Sequence, residues 1–386
     1  MKKFAFSLMA LIVAVTAMAN DSEYFMVGNQ LEPMQSTNIS VAKEILTINM
    51  LANGEADVDV YYEFQNDGPQ KTITMGFEAI PPYMEERANM NGIHSDMKDF
   101  TVVMNGTKLA YKNAVTMDGI ANGVKPLNTK VWKYTEERGG YYNAQLDSTA
   151  RYSYVYYFDA TFKPGKNIVH HTYRYTMALG VMHSYWLDYK LTPATRWANH
   201  QIDDFTLRIV AKDMFKHFAI FDDAFEGGEF KLVEGEGKIR KIYSHNKDAE
   251  TDVTYDEVAM RNGMIEWHAT NYSPKEELHF TSCDLVVMEN QYYNFTTANG
   301  KPYDCTVFYD GGNRSTPYGA PSKDKKFTYR VYRNLPFAIR GYIFKDAKLK
   351  KFFESQWWYM PDAKCPSSTV GFSKRDLDCV NGLLTP

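Results

Sequence analysis

Cysteine is scarce in this chain of 386 residues, which has only Cys283, Cys305, Cys365 and Cys379. Neither neighbouring pair has the C-x₂₋₄-C spacing of a thiolate zinc site, so no metal centre is expected there. Catalytic signatures are missing as well. There is no G-x-S-x-G elbow, no H-E-x-x-H helix and no glycine-rich phosphate or dinucleotide loop, so no catalytic residue and no cofactor is assigned. Excess positive charge is also absent. The 43 Lys and Arg against 47 Asp and Glu leave a formal charge of −4, which argues against nucleic acid as a partner. Past the N-terminus no 18 consecutive residues are apolar, so no transmembrane segment is expected in the mature chain.

The N-terminus reads as an export signal over residues 1–19. Lys2 and Lys3 precede an apolar run from Phe4 to Val15, and Ala17-Met18-Ala19 places small residues at −3 and −1. Cleavage is expected after Ala19, giving a secreted or periplasmic protein. An even number of cysteines in an exported chain points to disulfides. Of the three possible connectivities, Cys283–Cys305 with Cys365–Cys379 is expected because each pair lies within one stretch.

Hydrophobic residues at 44% and charged residues at 23% fit a folded protein. Aromatics at 15%, with 28 Tyr and 23 Phe, favour strands. Val58, Val60, Tyr62 and Phe64 alternate with Asp57, Asp59, Tyr61 and Glu63, the period of a strand with one wet face. Asn-Gly pairs at 53–54, 105–106, 262–263 and 299–300 lie between strand-like runs and read as hairpin turns. Arg151–Phe162 and Ile168–Tyr175 read as another pair around Lys163-Pro164-Gly165-Lys166. The fold class expected is mainly β, an antiparallel sandwich-like body of two units (20–195 and 196–310), with a small helical C-terminal domain. Gly, Pro, Ser and Lys mark 311–326 as a linker, and residues 327–386 form the last domain. In it Gly341 is placed to end a helix, Asp346 to cap a second, and Ser373 with Asp376 to form a capping box for a third.

The segment Arg333-Asn334-Leu335-Pro336-Phe337-Ala338-Ile339-Arg340-Gly341-Tyr342-Ile343-Phe344 resembles the YARHG domain, a small bacterial module named for its Tyr-Ala-Arg-His-Gly motif. The resemblance continues through Leu349, Phe352-Phe353, Trp358-Tyr359 and Pro361, over about 325–385. Ala338 and Gly341 match the motif, whereas Phe337, Ile339 and Arg340 replace its Tyr, Arg and His. Asn334, Phe337, Ala338, Gly341 and Phe344 are the motif residues here. A second resemblance, over residues 20–215, is to an uncharacterised family of exported bacterial β-proteins. It rests on Tyr62-Glu63-Phe64-Gln65-Asn66, Phe162-Lys163-Pro164-Gly165, His171-Thr172-Tyr173-Arg174 and Tyr189-Lys190-Leu191-Thr192 with Trp197. Together they imply an exported β-rich body with a helical module and import no mechanism.

From Lys323 onward there are 13 Lys and Arg against 6 Asp and Glu, so positive charge concentrates in this module. Trp357, Trp358 and Tyr359 are candidates for stacking on sugar rings, with Arg333 and Arg340 to pair a carboxylate or phosphate. Against that, small domains use such aromatics as core, and Arg340 could bond a helix-terminal carbonyl. His170-His171 would point to opposite strand faces and so share no metal. Asn246, Asp248, Glu250, Asp252 and Glu257 have calcium-loop spacing, but Thr251 stands where that turn needs Gly, so an acidic hairpin loop is expected. The function expected is non-catalytic binding to a cell-envelope polymer or envelope protein. The alternative is an envelope glycan or peptidoglycan hydrolase using Asp or Glu.

Overall fold

The computed structural model describes residues 27–29, 31–33, 37–51, 54–79, 89, 91–116, 132–135, 140–143, 152–179, 185–225, 228–246, 251–282, 286–289, 304–307 and 325–382. The export signal, most of the linker, the Asn299-Gly300 turn, Cys283 and the side chain of Cys305 lie outside them. In chain order the strands are β1 Val27–Asn29, β2 Glu32–Pro33, β3 Ile39–Met50, β4 Glu55–Asn66, β5 Lys71–Ala79, β6 Met97–Met104 and β7 Thr107–Lys108. They continue with β8 Lys112–Thr116, β9 Trp132–Thr135, β10 Gly140–Asn143, β11 Ser153–Phe162, β12 Gly165–Thr176, β13 Ala178–Leu179 and β14 Tyr185–Lys190. The last are β15 Ile202–Phe221, β16 Lys231–Asn246, β17 Thr251–Tyr272, β18 Leu278–Ser282, β19 Val286–Glu289 and β20 Asp304–Val307. Three helices follow: α1 Lys325–Ile339, α2 Ala347–Glu354 and α3 Lys374–Val380.

A 12-stranded sheet runs β1-β14-β18-β15-β3-β4-β12-β6-β7, with β13 on β14, β17 on β15 and β16 on β17. A four-stranded sheet, β2-β5-β11-β8, packs on its inner face and shares one apolar core with it. The alternation read in the sequence builds this layer. Along β4, Ala56, Val58, Val60, Tyr62 and Phe64 are buried while the residues between them face outward. Phe64 crosses to Phe162 of the smaller sheet at 5.5 Å, and Phe77 meets Tyr173 at 4.9 Å. Each such side chain contributes about 1.5–3 kcal/mol of burial. On the wet face, side chains pair across strands, as in Arg174–Asp57 at 2.6 Å and His170–Asp59 at 2.9 Å. His170 and His171 do point to opposite faces, and His171 is fully buried.

The mainly β body with a small helical C-terminal part is as expected, but five local readings need correction. Two pairings are parallel, β15 with β3 and β1 with β14. Strands from both sides of residue 196 share the larger sheet. β11 and β12 do not pair with each other. The Lys163–Gly165 turn, tied by Asn167 to Lys163, carries the chain from one sheet to the other. Asn105-Gly106 is a hairpin turn, with φ of 49° and 78°. Asn262-Gly263 instead lies inside β17, where Asn262 has φ 48° opposite irregular stretches of both neighbours. There the left-handed residue sits where the ladders to both neighbouring strands shift register, the mark of a bulge. Finally, Glu257 is strand, not loop. β16 and β17 form a hairpin, and Glu257 sits in its ladder opposite Arg240.

Candidate binding surface on the C-terminal module

The three helices close around Val331, Leu335, Ala338, Phe344, Leu349 and Phe353. Phe344 stacks on Phe353 at 4.6 Å. α1 ends where the sequence suggests: Gly341 has φ +88°, and the Gly341 and Tyr342 N–H groups donate back to Ala338 and Phe337. A Cβ on Gly341 would lie 2.6 Å from the Met360 carbonyl, so this motif glycine meets both a conformational and a steric requirement. Asp346 caps α2 by accepting from the Lys348 and Leu349 N–H groups at 3.0 Å, and Ser373 with Asp376 forms the capping box of α3.

The five residues singled out for binding are engaged within the chain. Trp358 and Tyr359 are buried, and the Tyr359 hydroxyl donates to the Tyr342 carbonyl at 2.6 Å. Trp357 is half-buried beneath the Arg240 guanidinium, 4.4 Å from its ring centre. Arg333 donates to the Val380 carbonyl at the end of α3. Arg340 donates to the Pro336 carbonyl at 2.7 Å and to Asp376 at 2.9 Å, with its guanidinium 3.9 Å above the Phe372 ring. Of the motif residues, Asn334 donates to the Arg330 carbonyl, while Ala338 and Phe344 are core and Phe337 is half-buried beside Phe372. The internal role weighed for Arg340 is the one observed.

The expected Cys365–Cys379 bond is absent: Cys365 is a free thiol. Its Sγ lies 3.8 Å from the Pro366 carbonyl, whereas Cys379 is buried on α3. Burial raises the pKa of the Cys365 thiol, with Asp362 adding to the rise.

Residues of β15, β17 and β16 next to the register shift reach under this module. Lys238 donates to the carbonyls of Trp357 and Tyr359 at 2.9 and 2.8 Å, and Arg261 donates to that of Met360 at 3.1 Å. Beneath them His217 and Glu257 form a buried pair at 2.6 Å, and Glu257 also accepts from Arg240 at 2.6 Å. Burial alone would raise the Glu257 carboxyl, but His217 and Arg240 outweigh it and hold the pKa below the usual value. The sequence does carry a signal for this seam. Lys238 and Arg240, and Glu257, Ala259 and Arg261, are alternate residues on facing strands, yet they read as an ordinary wet face.

What the module leaves outward is lysine. Lys345, Lys348 and Lys351 are exposed and form no ion pair among the described residues. Asp346 is taken up by Arg330 and by the α2 N-terminus, and Glu354 faces Lys350 at 3.8 Å. The acidic groups at α2 are thus committed, while Lys345, Lys348 and Lys351 stand free of ion pairs among the described residues. Among the described residues, no cluster of three His, Cys, Asp or Glu could hold a metal, and no helix is long and apolar enough to cross a membrane.

Residues 312–383 match the YARHG domain. The match covers the C-terminal region alone. No curated protein matches the chain. Among solved structures, one from Legionella pneumophila subsp. pneumophila str. Philadelphia 1, named as a candidate nutrient binding protein, is 16% identical. The alignment covers 94% of this chain and 99% of that one, with a TM-score of 0.49. The M1 zinc metallopeptidase of Deinococcus radiodurans is 9% identical over 78% of this chain and 54% of its own, at 0.24. Baculovirus P35 is 8% identical over 65% and 98%, at 0.23. At these scores none bears on what this chain binds.

Proposed function

We propose that this chain is an exported, non-catalytic binding protein whose YARHG module holds an anionic cell-envelope polymer along Lys345, Lys348 and Lys351, at and before α2. The observation carrying the proposal is the division of labour on the module. Trp357, Trp358, Tyr359, Arg333 and Arg340 are spent on the fold and the seam, while Lys345, Lys348 and Lys351 remain exposed and unpaired among the described residues. The concentration of cations after Lys323 supports the same reading, as does the motif-like export segment at residues 1–19. A repeating anion meets such a row with many weak, salt-screened contacts in place of one deep pocket.

The test is retention of the full-length protein on purified cell wall against an uncharged dextran resin at low salt. Wild type is expected on the wall alone, and Lys345→Glu/Lys348→Glu/Lys351→Glu on neither. Equal retention on both matrices, or an unaffected triple variant, refutes the proposal. Export is tested separately by the N-terminal sequence of protein recovered outside the cytoplasm, which is expected to begin at Asn20.

A further inference from the structure

Arg261 stands on β17 beside the register shift at Asn262, opposite Glu236 of β16. A bulge re-aims the side chain next to it, and here the Arg261 guanidinium reaches from the sheet to the module, with 14% of the side chain exposed. It lies in a notch at Gly341. Nη1 donates to the Met360 carbonyl at 3.1 Å, and Nη2 donates to the Glu236 carboxylate. A Cβ on Gly341 would lie 2.9 Å from Nη2 and closer still to Nη1, so a side chain at this motif position would displace the guanidinium.

The module's side of the notch is fixed by bonds inside the module. The Asp362 N–H donates to the Gly341 carbonyl at 2.8 Å, and the Tyr359 hydroxyl donates to the Tyr342 carbonyl at 2.6 Å. Together they hold the end of α1 against residues 359–362, so the acceptor and the bare backbone are in place before a cation arrives. Such preorganisation lowers the cost of binding. A carbonyl on one side, a carboxylate on the other and glycine between them suit a flat cation with two separated donors. A guanidinium holds its N–H groups in one plane, whereas an ammonium is a compact, strongly hydrated point charge. The charge is also felt by its neighbours. Burial raises the pKa of Tyr359 and of Cys365, and Arg261 pulls against both rises.

We propose that the Gly341 notch is a guanidinium-recognition site of the YARHG module, through which the module captures an arginine presented on a β-strand, here Arg261 of its own body. The site is independent of the exposed lysines, and its test does not involve retention on cell wall.

In the full-length protein Arg261→Ala empties the notch and should lower the thermal midpoint. Millimolar methylguanidinium chloride should raise the midpoint of Arg261→Ala and leave wild type, whose notch is filled, unchanged. Equimolar methylammonium chloride should move neither protein, and Arg261→Ala/Gly341→Ala should respond to neither salt. Should Arg261→Ala not fold unaided, the same salts are added during refolding, and native tryptophan emission is expected to return with methylguanidinium alone. Arg261→Lys keeps the charge but loses the fork, and should melt below wild type. A variant that responds to both cations alike or to neither, a rise shared by wild type, or a lysine variant as stable as wild type overturns the proposal.

Discussion

Glu257 offers the sharpest test of how the body holds Arg240 and His217 against Trp357 of the module. Its carboxylate is fully buried and accepts from His217, itself 1% exposed, and from Arg240, whose side chain is about one-third exposed. Replacing Glu257 with Ala removes both charge-assisted bonds and leaves His217 facing a void. Breaking a buried pair from one side costs about 3–5 kcal/mol. Arg240 can turn toward water, so the lower end, about 3 kcal/mol, is expected. With a urea slope of about 3 kcal/mol/M, that moves the midpoint down by about 1 M. Trp357 lies 5.8 Å from the His217 ring, so tryptophan fluorescence during urea unfolding is a suitable assay. The pH dependence has a definite sign. Because the folded carboxyl pKa is held below 4.5, its contribution is present above that value and is lost as pH falls through the folded pKa. The gap between wild type and Glu257→Ala should therefore be wide at pH 7 and narrow on acidification. A cost under about 1 kcal/mol at pH 7 is what a surface pair gives, and it would refute this account of the seam.

Gly341→Ala should destabilise the module by about 1–3 kcal/mol from positive φ, with more from the Met360 carbonyl, read as a lower thermal midpoint than Ala338→Gly produces. Phe353→Ala, which empties the ring stacked on Phe344, should cost about 3–5 kcal/mol in the same assay. Asp346→Ala removes the α2 cap and should cost about 1 kcal/mol, while Asp346→Asn should recover most of it. Iodoacetamide without reductant should alkylate Cys365 in peptide maps, and a cross-linked Cys365–Cys379 peptide would contradict the free thiol.

Local features of the fold were legible where one residue type meets one local demand. The alternation in β4, the caps at Asp346 and Ser373, and the helix stop at Gly341 are set by neighbours within four residues, so sequence suffices. Asn262-Gly263 shows the limit of that logic. Positive φ serves a bulge as well as a hairpin, and only the pairing of β15, β17 and β16 decides which. The turn at Gly165 was read correctly as a turn, but a turn does not say whether the next strand returns to the same sheet. The candidate site was harder still. Trp357, Trp358 and Tyr359 look alike whether they face a ligand or a core, and the deciding groups, Lys238, Arg240 and Arg261, lie about 100 residues away.

The source of those cations has a consequence for function. The module is basic and the preceding region acidic, yet at the seam it is the body that supplies the cations, and they bond to module carbonyls. Docking of the two parts therefore rests on short-range hydrogen bonds, the contacts of Arg240 and His217 with the Trp357 ring, and apolar contact, none of which added salt screens strongly. The polymer capture proposed for the exposed lysines would rest on screened charge alone. Raising salt from about 0.05 to 0.5 M shortens the screening length several-fold and should release the protein from the wall while the seam stays closed. Elution from cell wall and tryptophan emission, followed on the same samples, separate the two. Release without an emission change is expected, and a spectrum that shifts together with elution would mean that charge, not local bonding, holds the module to the body.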